Sequence, residues 1–315
     1  MNAWRWIAGV ALAVTVAGCD GGSTHADGTI DVVATTTQLG DIVREVGGPS
    51  VHVHQILQPN TDPHEYDPRP DDVQSAAGAQ LIVDSGDNLD RWMDKVLHEA
   101  GGHPDVLTIA PDHTPYRVPG ETSGPEASKY DPHWWHDPRN VAAATDAIRD
   151  ALIKAEPARK AALTRTAAAY KAKVQALDRG IRACFAKVPE DQRKLVTSHD
   201  AFGYFAARYG ITVVGAVIPS QTTQAQPSAG QVSRLARLVK QQGVKAIYPE
   251  SSLNPKLEQA LARQTGARAD YTLYGDTLGP KGSPGATYLG MERANADAMV
   301  KGFTGGADGC SISGL

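Results

Sequence analysis

The stretch IDVVATTTQLGDIVREVGG, residues 30–48, predicts a strand followed directly by a helix. Residues 30–35 form a short β-branched run that is typical of a buried strand. In residues 37–46 the apolar side chains recur three and four positions apart, and Gly47 and Gly48 end the helical pattern. Strands alternate with helices in this way in both halves of the chain, which indicates an α/β fold with parallel, doubly wound sheets.

Outward from this unit, the same patterns predict the remaining elements. Further strands are expected at 51–57, 81–83, 194–197, 213–218, 246–248 and 271–273. Helices are expected at 70–77, 138–155, 202–208, 230–242, 255–265 and 288–304.

A long helix is predicted over 157–187, where apolar side chains recur every three, four or seven residues. It would be roughly 45 Å long, enough to run along two lobes and join them. The expected organisation is therefore a signal peptide (1–18), a polar tether (19–29), an N-terminal α/β lobe (30–156), this linking helix (157–187) and a C-terminal α/β lobe (188–315).

The first residues are typical of an export signal. Arg5 precedes an apolar run over 7–17, which is too short to cross a bilayer as a permanent helix. The run ends in VAGC, residues 16–19, which resembles a bacterial lipoprotein signal. We therefore expect cleavage before Cys19 and acylation of that cysteine, which anchors the chain on the extracytoplasmic side of the cell membrane. An ordinary cleaved signal is the alternative, and periplasmic and outer-surface locations both stay open.

The charge balance argues against one class of ligand. The chain has 31 Lys and Arg against 35 Asp and Glu, and no basic stripe, so binding to nucleic acid is not expected. With Cys19 acylated, Cys184 and Cys310 are the cysteines that remain free to pair. An even pair in an oxidising compartment suggests a disulfide, with two separate buried thiols as the alternative.

Four side chains with metal-binding chemistry follow predicted strands or precede a helix. They are His64 in PNTDPHEY, His133 in DPHWWHDP, His199 in TSHDAF and Asp276 in YGDTLG. Ligands of doubly wound sheets bind at such strand ends, and imidazole nitrogens with one carboxylate suit a tetrahedral ion such as Zn²⁺. Each histidine could instead be a loop or capping residue, and spacing alone does not establish that the four converge.

Several ordered motifs resemble one known family, the cluster A-I metal-binding lipoproteins, which are zinc and manganese receptors of ATP-driven importers. The motifs are VVATTTQLGDIVREVGG, LQPNTDPHEYDPRPDDV, DPHWWHDPRNV, LVTSHDAFGYFAARYGI, ESSLNPKLEQALARQTGA and LYGDTLGP. The resemblance implies two α/β lobes joined by one rigid helix, with the metal in the cleft between them. It places the ligands on His64, His133, His199 and Asp276, and implies a monomer whose partners are a membrane permease and its ATPase.

The third ligand bears on the choice of metal. Manganese receptors of this family are expected to use a carboxylate where this chain has His199. Nitrogen ligation favours zinc, whereas manganese favours oxygen, so Zn²⁺ is the expected cargo and Mn²⁺ the alternative. The chain departs from the best-known zinc receptors because it lacks a long histidine-rich loop. His113 is the only histidine in the loop expected over 113–129.

Three further residues are candidates for supporting roles. His136 could be an accessory ligand or could cap the following helix. Glu250 ends a predicted strand and could hold a metal-bound histidine or act as a transient ligand, and Asp200 could orient His199. Trp134 and Trp135 are expected to pack the wall between the lobes.

Two other functions are alternatives to the receptor. A secreted zinc hydrolase would need an open coordination position, with Glu250 as the base, but the chain has neither an HExxH nor a GxSxG motif. We therefore expect no enzymatic activity. A surface adhesin is the other alternative, and no residue discriminates it.

Overall fold

The computed structural model describes residues 28–124 and 127–314. The predicted signal, Cys19 and most of the tether lie outside the described residues. The first half of the chain forms β1 (Ile30–Ala34), α1 (Thr37–Gly47), β2 (Val51–Gln55), α2 (Pro70–Gly78), β3 (Leu81–Gly86), α3 (Trp92–Ala100), β4 (Asp105–Ala110) and α4 (Pro138–Ala155). Its strands build one parallel sheet in the order β2-β1-β3-β4.

The second half follows the helix α5 (Lys160–Phe185). Its elements are β5 (Lys194–Thr197), α6 (Gly203–Tyr209), β6 (Thr212–Ala216), α7 (Ala229–Gln241), α8 (Lys256–Thr265) and α9 (Tyr288–Thr304). Strands β5 and β6 pair in parallel. The predicted α/β fold, with parallel sheets flanked by helices in two lobes, is confirmed.

The expected strands at 246–248 and 271–273 are present only as isolated parallel bridges, which join Thr197 to Tyr248, Ala246 to Arg268 and Glu250 to Leu273. The segments still extend the second sheet, since Tyr248 N donates to Val196 O at 2.8 Å. Pro249, next to two of these bridges, has no N–H to donate to a regular ladder.

The predicted long helix begins later than expected. Residues Pro157–Arg159 form a 3-10 turn, and the continuous helix α5 starts at Lys160. Its buried side is the predicted apolar series: Leu163, Tyr170, Val174, Leu177, Ile181 and Phe185. It packs against α1 and α4 of the first half and against α6 and α9 of the second, so it lies along both lobes.

Two further features complete the fold. Cys184, near the end of α5, and Cys310, after α9, are joined by a disulfide, as predicted. In the part of the chain that the structure describes, no helix has the length and apolar character needed to cross a membrane. The lobe boundaries at 156–157 and 187–188 stay predictions.

Candidate metal centre

His64 lies in a short turn shortly after β2. The turn Pro63–Glu65 is a single 3-10 turn, and Asp62 caps it by accepting a hydrogen bond from His64 N at 2.9 Å. The ring of Pro63 restricts the backbone at the same point. The local sequence therefore fixes the backbone conformation at His64. The side chain of His64 is fully buried.

His133 is held by a second copy of the same local motif. In Asp131-Pro132-His133, as in Asp62-Pro63-His64, the aspartate accepts a hydrogen bond from the histidine backbone N–H, here at 2.9 Å. Asp131 Oδ1 also lies 2.7 Å from His133 Nδ1. An N–H donated from Nδ1 fixes the tautomer and leaves Nε2 free to bind a metal. Sequence reasoning missed Asp131, although the repeated Asp-Pro-His motif was a signal for it.

His199 follows β5 and has an equivalent support from a distant part of the chain. Glu250 Oε1 accepts a hydrogen bond from His199 N at 2.9 Å, and Glu250 Oε2 lies 2.9 Å from His199 Nδ1. A side chain at Gly275 would collide with the Glu250 carboxylate, so the segment before Asp276 must pass close to it. Glu250 therefore contacts His199 in the way that the sequence suggested for a supporting residue.

The four predicted ligands come together between the lobes. Within the described residues they form one group, whose ligand atoms all lie within 4.8 Å of one another. The Nε2 atoms of His133 and His199 are 3.3 Å apart. Asp276 Oδ1 lies 3.3 Å from His133 Nε2, and its Oδ2 lies 3.4 Å from His199 Nε2 and 3.8 Å from His64 Nε2. The first half of the chain contributes His64 and His133 to this group, and the second half contributes His199 and Asp276.

The electrostatics of this group suit a cation. Burial lowers the pKa of His133, but the carboxylates of Asp131 and Asp276 more than offset this and raise it to about 9. The pKa of His199 is likewise well above its usual range, because Asp276 and Glu250 outweigh the effect of burial. In the opposite direction, the three histidines hold the pKa of Asp276 well below its usual range, against the effect of burial.

The carboxylate of Asp276 is the most direct sign that this group suits a metal ion. Among the residues that the structure describes, no group makes a hydrogen bond of normal geometry to either of its buried oxygens. Buried carboxylates are normally paired or bind a metal. A divalent ion at the centre would neutralise this carboxylate and would require neutral imidazoles, so its binding would release protons.

The other candidates lie outside this group. His136 is buried, but its Nδ1 lies 2.7 Å from Glu292 Oε1, and its ring stacks on Phe202 with centroids 4.4 Å apart. Within the described residues, the converging ligand atoms include neither His136 nor Asp200. The backbone N–H of Asp200 donates to Ser220 O at 3.0 Å.

Of the two tryptophans, Trp135 contacts the second half, as expected, whereas Trp134 Nε1 donates to Ser85 Oγ within the first half at 2.9 Å. Both are fully buried. Trp135 Nε1 donates to Gly275 O at 3.1 Å, which ties the first half of the chain to the segment that carries Asp276.

Comparisons with known proteins agree with this architecture. The iron-binding protein YfeA of Yersinia pestis is 32% identical over 272 residues, which is 86% of each chain. The manganese-binding lipoprotein MntA of Bacillus subtilis is 32% identical over 297 residues, 92% of this chain and 95% of that one. The solved structure of the periplasmic zinc-binding protein TroA from Treponema pallidum superposes with a TM-score of 0.80 at 30% identity, covering 88% of this chain and 99% of that one.

Two lobes, a joining helix and a buried His and Asp group between them define a class: the metal-binding substrate-binding proteins of ABC transporters. Residues 32–302 match the family described as zinc-uptake complex component A, periplasmic. The chain belongs to this family, which confirms the resemblance seen in its motifs.

Proposed function

We propose that this protein captures one Zn²⁺ through His64, His133, His199 and Asp276 and delivers it to the permease of an ABC importer. The observation that carries the proposal is the convergence of three buried imidazole nitrogens on one unsatisfied buried carboxylate. Three nitrogens and one oxygen make a nearly closed tetrahedral set of the kind that holds zinc.

The choice of zinc rests on the donor set of this chain. The names of its relatives specify iron, manganese and zinc, so the metal must be argued from the site itself. Zinc accepts imidazole readily, whereas manganese prefers a larger share of oxygen ligands. With His199 supplying a third nitrogen, we assign Zn²⁺ as the cargo and Mn²⁺ as the weaker competitor.

The same geometry supports capture over hydrolysis. The histidine and aspartate side chains of the site are fully buried. The alternative base, Glu250, has both carboxylate oxygens within hydrogen-bonding distance of His199. It is therefore engaged with a ligand and is not poised to activate a water molecule.

The delivery step implies a location and partners. We infer that Cys19 is acylated after cleavage of the signal and holds the protein at the extracytoplasmic face of the cell membrane. Relatives named as lipoproteins support this inference. We further infer that a monomer docks on the membrane permease, whose ATPase drives import.

The test is a competition between zinc and manganese for the purified metal-free protein. We expect one Zn²⁺ per chain and displacement of Mn²⁺ by equimolar Zn²⁺, measured by calorimetry and elemental analysis. His199→Ala and Asp276→Ala should each weaken zinc binding by at least about tenfold, or 1.4 kcal/mol. His113→Ala, outside the site, should bind as the wild type does. Unchanged affinity in both site variants would refute the assignment, and preferential retention of manganese would refute the choice of zinc.

A further inference from the structure

A short segment of the first lobe reaches across the cleft beside the metal site. Residues 118–121 pair with residues 128–131, and we call these two stretches the strap. Gly120 N donates to Lys129 O, and Asp131 N donates to Val118 O, each at 3.0 Å. A side chain at Gly120 would collide with the backbone carbonyl of Ser128, so the close pairing requires glycine there. The strap ends at Asp131, the residue that holds His133.

Glu121 of the strap is bonded to a loop of the second lobe. Its Oε2 accepts a hydrogen bond from Ser220 Oγ at 2.8 Å, and its Oε1 accepts one from Gln221 N at 2.9 Å. In return, Gln221 Oε1 accepts a hydrogen bond from Glu121 N at 3.1 Å, and Gln221 Nε2 donates to Pro119 O at 3.3 Å. These four hydrogen bonds join the two lobes without passing through the metal ligands.

The loop that Glu121 binds is the loop that supports His199. Ser220 O accepts a hydrogen bond from Asp200 N at 3.0 Å, and Ser198 O accepts one from Ile218 N at 2.8 Å. The loop therefore lies along the segment that carries His199. On the other side, the strap positions Asp131 and through it His133. Glu121 thus connects the supports of two ligands whose Nε2 atoms are 3.3 Å apart.

We propose that Glu121 is a positioning residue that holds the lobes closed and slows the release of bound zinc. The inference rests on the proposed function, and it gives the loop that holds Glu121, which has no histidine-rich run, a role other than collecting metal. The ligands come from both lobes, so zinc leaves when the lobes separate, and separation must break the Glu121 bonds. Hydrogen bonds to a carboxylate are stronger than neutral ones. Because separation of the lobes breaks these bonds, their loss should raise the dissociation rate and leave the association rate unchanged.

The test is the rate of zinc release, followed by tryptophan fluorescence after zinc-loaded protein is mixed with excess chelator. Glu121→Ala should release zinc about tenfold faster than the wild type. Glu121→Gln keeps an acceptor for Gln221 N and should fall between the two. Glu99→Ala removes an exposed glutamate on α3 and should release zinc at the wild-type rate.

Two further measurements distinguish a positioning role of Glu121 between the lobes from a general structural role. Ser220→Ala should speed release by about threefold, and in a Glu121→Ala background it should add little, because both changes remove the same bond. The zinc association rate and the melting temperature of the metal-free variants should match the wild type. If Glu121→Ala does not fold, Ser220→Ala alone decides the matter.

The proposal is overturned if both variants release zinc at the wild-type rate, or if release speeds up only in proportion to a loss of metal-free stability. Failure of the proposed function would look different. In that case the wild type itself would not bind one zinc per chain.

Discussion

Asp131 and Glu250 support two different histidines in the same way. Each accepts the backbone N–H and also lies within hydrogen-bonding distance of Nδ1 of the histidine that it supports. The backbone hydrogen bond positions the start of the side chain, and the carboxylate beside Nδ1 favours one rotation of its ring. Together they aim Nε2 at the centre of the site and make it a better electron donor.

Removing the charge from one of these supports gives the first prediction. Asp131→Asn should weaken zinc binding by about tenfold to a hundredfold and leave the stoichiometry at one, because the histidine keeps its place but loses its ionic partner. Competition titration against a chelator of known affinity measures the change. Asp112→Asn, an exposed aspartate outside the site, is the matched control. Equal affinities of the two variants would show that Asp131 does not tune His133.

The sequence identified the four proposed ligands but only part of their surroundings. The Asp-Pro-His motifs are local, and Asp131 is only two positions from His133. The support of His133 by Asp131 could therefore have been inferred from the sequence. The contact of Glu250 with His199 spans 51 positions, and that of Glu121 with Ser220 spans 99. No periodicity encodes such contacts, because they depend on how the loops are folded and how the lobes face each other.

At the scale of the elements, α1 and α9 meet at a buried carboxylate. Asp41 of α1 accepts a hydrogen bond from Tyr288 N at the first position of α9, at 2.8 Å. Burial raises the pKa of Asp41 to about 6. The pKa of this carboxyl is near 4 in the unfolded chain and about 6 in the folded protein. Asp41 therefore destabilises the folded state progressively as the pH rises from about 4 through 6.

The second prediction follows from the raised pKa of Asp41. Asp41→Asn keeps an acceptor for Tyr288 N and removes the buried charge, so it should raise the free energy of unfolding by about 1 kcal/mol at pH 7.5. At pH 4 the wild-type carboxyl is protonated, and the two proteins should unfold alike. Urea unfolding of metal-free protein at both pH values measures the difference. A variant that is less stable at pH 7.5 would show that the ionised carboxylate stabilises this junction.

The elements were predicted unevenly, for identifiable reasons. Helix α9 and the first residues of β1 and β3 were predicted correctly because their apolar patterns are regular and bounded by turn residues. Helix α3 and strand β4 were missed. Met93 and Val96 do mark the buried side of α3, but β4 has only two fully buried residues, at its end. An edge strand that is largely exposed lacks the continuous apolar run on which the prediction of parallel strands depends.

For the whole molecule, the disulfide is the longest-range covalent constraint. It joins residues 126 positions apart and fastens the segment after α9 to the end of α5. The double variant Cys184→Ser/Cys310→Ser should lose at most about 4–5 kcal/mol of stability, chiefly because its unfolded chain is less restricted. Urea unfolding without reductant measures the loss. Zinc stoichiometry should stay at one, and a variant as stable as the wild type would contradict the prediction.

The equal division of the site between the lobes has a consequence for the energetics of transfer. With the four side chains as ligands, each lobe is a bidentate chelator, and α5 holds the two chelators at a high effective concentration. Neither half alone resembles a complete zinc site. The affinity of the whole protein for the ion therefore arises from two modest affinities, combined through the high effective concentration at which the fold holds the two halves. A permease that only moves one lobe away from the other removes this gain in affinity. It then competes for the ion against two donors instead of four.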